Sequence, residues 1–364
     1  MKIIIRTDSS NIIGTGHLMR CLTLAERFRA DGASVSFICR GLPGNMTGLI
    51  SQKGFRLHLL TYESHLQLTS GYASWLGVRW YTDAEETAAI LASESPDLLI
   101  VDHYALDARW EERQRPFAGK IMVIDDLANR HHDCDILLDQ NYHADPSRRY
   151  EMLLPESCTA LFGPQYAPLR PEFARVRKDI RIKEDPIRKL FLFFGGVDPE
   201  NETAKALEAI ERLGNNELTV DIVIGSGNRH RDEISATAHS IHGATLHCQI
   251  DNMAEMMAEA DLAIGAGGTT AWERCCLGLP SLIIAVAENQ VPISESCHEA
   301  GIGIYLGKSE QVTSNKIGEA LQSLLEQPSL INEMRRKELE LCDGLGADRV
   351  FQNIHKLSQI KVSV

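Results

Sequence analysis

The chain has 364 residues, 44% hydrophobic and 24% charged, with a formal net charge of −13. That length exceeds the size at which a single hydrophobic core stops growing, so two domains are expected. A surface this acidic speaks against nucleic acid or an anionic membrane as the main partner, while still allowing a small anion held by backbone N–H groups in a local pocket.

Apolar runs alternate with amphipathic helical patterns along the whole sequence. Ile3–Ile5 reads as a first strand, and the apolar run it belongs to is too short for a secretory leader. His17 to Arg29 reads as a helix, with Leu18, Cys21, Leu22, Leu24, Ala25 and Phe28 recurring on one face. Val35–Ile38, Asp97–Val101 and Ile121–Ile124 follow as strands, the last two each ending in a polar cluster. Pro168 to Pro186 holds three prolines and many charges and reads as a helix plus linker. A second series then begins with Leu190–Phe194 and continues through Val220–Ile224, Leu262–Ile264 and Leu282–Ile284. Continuous apolar runs suit strands covered on both faces, and helices between them make parallel sheets. The expected class is therefore α/β, with two Rossmann-like domains. We place the first over residues 1–170, a linker over 171–187 and the second over 188–364. The helical patterns beyond about residue 312 suit either a cover for the second sheet or a return to the first.

The nine cysteines form no C-x-x-C pair, so they are expected as reduced thiols in a cytoplasmic protein. No stretch approaches the ~18 apolar residues of a membrane span.

Chemistry is expected where loops leave the carboxyl ends of parallel strands. The first such loop runs from Arg6 through Asp8, Gly14 and Gly16 to His17. Two glycines let the backbone turn tightly and approach a ligand. The dinucleotide fingerprint is absent, because Met19 stands where its third glycine would be. Two readings compete here: a flexible turn with His17 capping or solvated, and a site with His17 as base. At a helix start the dipole disfavours imidazolium, leaving a neutral ring suited to general-base work. Asp8 is the carboxylate expected to orient it.

The second loop is Gly265-Ala266-Gly267-Gly268-Thr269-Thr270, leading to Glu273. Its glycines form a backbone nest suited to diphosphate. Thr270 and Glu273 also have capping-box spacing, so Glu273 has a structural reading beside its functional one as a ribose ligand. Asp102-His103-Tyr104, Asp125-Asp126, Asp198 and Asn289-Gln290 lie at other strand ends, where each alone is explained by a turn or N-cap. No histidine spacing suggests a metal site, and neither a Gly-x-Ser-x-Gly elbow nor a Walker loop is present.

Two Rossmann-like domains with a glycine-rich turn in each, facing a central cleft, suggest the GT-B architecture. The stretches Arg6–Ser10 and Ile13–Cys21, with Val101–Tyr104, Ile124–Asp126, His132–Leu138, Gly163–Arg170, Phe194–Asp198 and Glu288–Gln290, narrow it. Over residues 1 to about 306 the chain resembles the GT-B-like hydrolases of pseudaminic acid biosynthesis, which cleave UDP-2,4-diacetamido-2,4,6-trideoxy-β-L-altropyranose. The segment from about 307 looks longer than in compact members.

That resemblance implies His17 as the base that activates water. It implies substrate contacts from Asp8, Gly14, Gly16, Tyr104, Asn289 and Gln290, and UDP binding by Gly267, Gly268, Thr269, Thr270 and Glu273. It implies attack at the anomeric carbon with inversion, with no cofactor, metal, membrane or nucleic acid. The rival expectation is a GT-B glycosyltransferase using a UDP-amino sugar. A third is a sugar-nucleotide binding protein without catalysis.

Overall fold

The computed structural model describes residues 1–62, 71–182 and 186–359. Its first sheet has seven strands: β1 (Lys2–Thr7), β2 (Ser34–Arg40), β3 (Arg56–Leu60), β4 (Leu98–Asp102), β5 (Lys120–Ile124), β6 (Ile136–Asp139) and β7 (Thr159–Phe162). Their spatial order is β3-β2-β1-β4-β5-β6-β7, and every pairing is parallel. The alternation of a strand explains why the first apolar run is unbroken. Ile3 and Ile5 enter a core on one face with Leu18, Leu22 and Phe28 of the helix Gly16–Ala30. Ile4 points the other way, to Leu99, Val101, Leu91 and Trp110.

The second sheet has six strands: β8 (Lys189–Phe193), β9 (Thr219–Ile224), β10 (Ala244–Cys248), β11 (Leu262–Ala266), β12 (Ser281–Ala285) and β13 (Ile304–Lys308). Their order is β10-β9-β8-β11-β12-β13, again wholly parallel. Both sheets share one topology. The chain winds outward from the first strand, then returns to its other side, so the order reverses between β1 and β4 and between β8 and β11. Crevices at such reversals are where open α/β sheets bind ligands.

The chain divides into two compact units. The first holds residues 1–141, 145–168 and 346–364, and the second holds 142–144 and 169–345. Two of the expected boundaries change. The expected linker 171–187 contains the helix Pro171–Arg177, packed within the second unit on helices Met253–Glu259 and Thr270–Leu277; residues 183–185 of it lie outside the described residues. The segment assigned to the second domain as far as 364 also splits. Helices Ser314–Leu325 and Pro328–Leu341 stay with the second unit, but Gly346–Gln359 joins the first. The cause is its apolar stripe: Ala347, Val350, Phe351 and Ile354 are buried with Phe28 and Ala25. Residues 360–364 lie outside the described residues. Among the described residues no helix is long and apolar enough to cross a membrane, and all nine cysteines are free thiols.

Candidate active site

In the first unit the loop after β1 and the end of β4 meet at the order reversal. Thr7 pairs with Asp102 in the register of these strands. The loop closes on itself through Gly14 N–H donating to the Ser10 carbonyl at 2.9 Å, while Ser10 Oγ accepts from the N–H groups of Ile12 and Ile13. Gly14 sits at φ +76°, a conformation that side-chain-bearing residues rarely adopt. Gly16 then opens the helix, which places His17 in its first turn, 7% exposed.

The imidazole is gripped from one side only. Nδ1 lies 2.6 Å from Asp102 Oδ1. Two acceptors would repel at that distance, so Nδ1 carries the proton and donates it. Nε2 has no protein hydrogen-bond partner among the described residues. Asp102 is itself held by Arg20, one turn along the helix from His17: Nε donates to Oδ2 and Nη2 to Oδ1, both at 2.7 Å. Burial opposes ionisation of Asp102, but the charge of Arg20 and the His17 bond outweigh it and keep the carboxyl well below its usual range. Tyr104 presents its ring edge to His17 at 4.6 Å between centroids and donates its hydroxyl to Asp126 Oδ1 at 2.5 Å. Trp75 stands 6.1 Å from the His17 ring and 5.3 Å from that of Tyr104. The result is a His–Asp dyad with a bare imidazole nitrogen between aromatic rings.

Asp8 does not have the place expected of it. It is fully buried beneath the loop, where Arg6 grips both its oxygens at 2.6 and 2.9 Å and the Arg40 N–H donates to it at 2.7 Å. His103 Nε2 approaches it at 3.3 Å, and Asp83 shares Arg6. Burial works against this charge too, and Arg6 chiefly overcomes it, holding the carboxyl far below its usual range. Asp8 therefore neither orients His17 nor reaches a ligand; it braces the floor of the loop. Asp102 orients the ring instead.

In the second unit, three loops converge beyond β8, β9 and β11. Phe194-Gly195-Gly196 follows β8, Gly225-Ser226-Gly227-Asn228 follows β9, and Gly267-Gly268 follows β11. The first two touch through bare backbone, where a Cβ on Gly225 would lie 2.3 Å from the Gly196 carbonyl oxygen; the third packs on the helix Val291–Glu299, where a Cβ on Gly267 would lie 2.1 Å from Ser294 Oγ. Gln290 braces the last loop. Its Oε1 accepts from the Val286 N–H at 3.1 Å, and its Nε2 lies beside Gly268. Asn289 precedes it in the short turn Glu288–Gln290, half-buried. Asp198 accepts from the N–H groups of Glu202 and Thr203, which makes it a cap for the helix Glu202–Leu213.

The capping-box reading of Glu273 fails. The helix Thr270–Leu277 has Thr269 at its N-cap with no side-chain capping bond, so Thr270 lies inside the helix. The Glu273 carboxylate instead meets Arg170 Nη2 at 3.3 Å. Burial pushes its pKa up and Arg170 pulls it back.

The structure thus gathers His17, Gly14, Gly16 and Tyr104 in the first unit, and Gly267, Gly268, Thr269, Thr270, Glu273, Asn289 and Gln290 along one loop-and-helix edge of the second. Sequence reading missed the roles of Arg20, Asp126 and Trp75 and the turn Gly225–Asn228. Asp102 was visible at its strand end, but only the strand order shows that β4 adjoins β1. Among the described residues no group of three or more His, Cys, Asp or Glu is placed to hold a metal ion.

Residues 190–349 match the glycosyltransferase family 28 C-terminal domain. The chain is 29% identical over 291 residues to the UDP-2,4-diacetamido-2,4,6-trideoxy-beta-L-altropyranose hydrolase of Campylobacter jejuni, covering 80% of this chain and 93% of that one. It is 30% identical over 159 residues to the UDP-N-acetylglucosamine–N-acetylmuramyl-(pentapeptide) pyrophosphoryl-undecaprenol N-acetylglucosamine transferase of an Exiguobacterium species, covering 42% and 43% of the two. Its fold is similar to that of MurG from Acinetobacter baumannii, with a TM-score of 0.68 at 14% identity over 98% and 99% of the chains. Two Rossmann-like units of GT-B type, the second matching the family 28 C-terminal domain, therefore make up a chain similar to the altropyranose hydrolase that its motifs resemble.

Proposed function

We propose that the protein is a nucleotide-sugar hydrolase that cleaves UDP-2,4-diacetamido-2,4,6-trideoxy-β-L-altropyranose, or a close stereoisomer, to UDP and the free sugar. The observation that carries this reading is the His17–Asp102 dyad with Nε2 bare at the order reversal of the first sheet. Water hydrogen-bonded to Nε2 gives up its proton as its oxygen attacks the anomeric carbon. The C1–O bond breaks, its electron pair leaves on the diphosphate, and Asp102 stabilises the imidazolium until it returns its proton to solvent. The glycine loops after β8, β9 and β11 offer backbone N–H groups to the leaving UDP, and Glu273 a carboxylate to ribose hydroxyls. The 29% identity with the Campylobacter jejuni hydrolase supports this substrate class.

A glycosyltransferase is the second reading, favoured by the family 28 match and by the transferase relative. One experiment separates the two. Purified protein is given the UDP-sugar in ¹⁸O-water with no acceptor. Hydrolysis at carbon releases UDP, puts the label on the sugar and none on UDP, and first yields the inverted anomer by NMR. Label in phosphate means attack at phosphorus. No UDP without an added glycan or lipid acceptor means a transferase.

A further inference from the structure

The His17–Asp102 pair has a third member that the proposed reaction does not call for. A carboxylate 2.6 Å from an imidazole favours the protonated ring, which is the wrong state for a base. Arg20 lies against both partners: two of its N–H groups bond Asp102, and Nη2 stands 3.2 Å from His17 Nδ1. Its remaining arm, Nη1, reaches Asp126 Oδ2 at 3.4 Å, the carboxylate that receives the Tyr104 hydroxyl. Arg20 is 4% exposed, so water screens little of this. The charged and titratable groups facing the ring, among the described residues, are few. They are Asp102 at the end of β4, Arg20 and the Cys21 thiol on the ring's own helix, Tyr104 after β4, and Asp126 after β5 one layer out. Trp75 closes the remaining side without charge.

We propose that Arg20 is a positioning residue that sets both the charge and the tautomer of His17. The purpose of this arrangement rests on the hydrolase reading; the arrangement itself is the geometry of Arg20, Asp102 and His17. The guanidinium, 3.2 Å from the ring nitrogen, opposes the field of Asp102 there. It also occupies the acceptor sites of Asp102 that Nδ1 does not use, which fixes the carboxylate plane and so the direction of Nε2. Through Asp126 it holds Tyr104 edge-on against the ring. One side chain thereby ties the base to its orienting carboxylate and its aromatic wall.

The test uses ¹⁵N-histidine-labelled full-length protein as wild type, Arg20→Gln and Arg20→Lys, with His17→Gln to assign the resonance. In wild type the neutral ring of His17 is the Nδ1–H tautomer. In Arg20→Gln the midpoint of its titration moves up by about 1–2 pH units, the size of shift a neighbouring unit charge produces. The acid limb of kcat/KM moves with it. In Arg20→Lys, which keeps the charge but loses the fork, the midpoint stays within about half a pH unit of wild type while kcat falls. An unmoved or lowered midpoint in Arg20→Gln overturns the proposal, as does a shift in Arg20→Lys equal to that in Arg20→Gln. A wild-type ring protonated on Nε2 overturns it even if Arg20→Gln does not fold. Because the NMR arm needs no substrate, the expected spectra in a protein inert toward UDP-sugars reject the hydrolase reading alone.

Discussion

Replacing Asp102 by Asn leaves the shape of the site almost unchanged and inverts its hydrogen bonding. Asp102 Oδ1 accepts from His17 Nδ1 and Arg20 Nη2, and Oδ2 accepts from Arg20 Nε at 2.7 Å and from the Cys21 thiol at 3.4 Å. An amide has one acceptor where the carboxylate has two. With its NH2 toward His17, Nδ1 must become the acceptor, the ring proton moves to Nε2 and the base is lost. With its NH2 toward Arg20 Nε, two donors collide in a buried place. In a Ser-His-Asp triad the same exchange costs about 10⁴ in kcat through the wrong tautomer. We expect roughly 10³–10⁴ here, since water replaces serine but the dyad works alike. Stability falls as well, because Arg20 keeps one hydrogen bond to the amide oxygen but only Asp126, at 3.4 Å, as a charged partner. Unpairing a buried charge costs up to about 3–5 kcal/mol, enough to lower Tm by roughly 6–20 °C for a unit of this size. UDP release should be followed at a temperature where circular dichroism shows the variant folded. A folded Asp102→Asn protein within tenfold of wild-type kcat would refute the dyad.

Three further outcomes are expected. Glu273→Ala should weaken UDP binding by ~1.5–3 kcal/mol, the worth of a hydrogen bond to a charged group, and change Tm little, because the burial that raises the carboxyl's pKa offsets the Arg170 pair that is lost; calorimetry showing unchanged affinity would remove the ribose role. Gly267→Ala should weaken UDP binding more than Gly268→Ala, since a Cβ at 267 lies 2.1 Å from Ser294 Oγ and one at 268 only 3.3 Å from the flexible Gln290 amide; the reverse order would show that the turn is not held by its packing. Asp139→Asn should gain stability over wild type as pH rises from 5 to 8. Burial, and then Asp126, push the Asp139 carboxyl to about 7, whereas it titrates near 3.9 when unfolded. The folded state thus holds a proton that the unfolded chain gives up between about pH 4 and 7, and that contribution, on the order of 2–4 kcal/mol, is lost as pH climbs through the folded value; a Tm difference that does not change with pH would contradict it.

Apart from the interior four-residue strand Ile136–Asp139, which the sequence also hid, the strands that it revealed and those it hid differ in place. Ile3–Ile5, Leu98–Val101, Leu190–Phe193 and Leu282–Ile284 lie in the middle of their sheets, covered on both faces, so their residues are apolar without interruption. Arg56–Leu60, Thr159–Phe162, Ala244–Cys248 and Ile304–Lys308 are the four sheet edges. They carry arginine, histidine, threonine and lysine because one flank meets solvent, which blurs any periodic pattern. The site shows the same limit. His17 and its glycines were legible because a helix start and a turn are local. The choice between Asp8 and Asp102 was not: both end strands near His17, and only the burial of Asp8 under Arg6 and the neighbouring position of β4 decide it. Thr270 and Glu273 have the right spacing for a capping box, yet the helix begins one residue too early for that pair.

One topology occurs twice in this chain and serves two kinds of chemistry. At the reversal between β1 and β4 the loops end in side chains that titrate or carry charge: His17, Asp102, Arg20 and Asp126. At the reversal between β8 and β11 they end in glycines, Gly196 against the backbone of Gly225, and Gly267 and Gly268 against Ser294 and Gln290. The difference follows from what each ligand part needs. Proton transfer needs a group whose pKa is open to tuning by neighbours, and only a side chain offers that. A diphosphate needs many donors at short range, and peptide N–H groups supply them without a side chain. A cationic clamp on the second unit would bind UDP more tightly in product and substrate alike and slow its release. A glycine nest acts over one hydrogen-bond length. Gly196→Ala should therefore weaken UDP binding without moving the acid limb of kcat/KM, because the groups that hold His17 are Asp102 and Arg20 of its own unit.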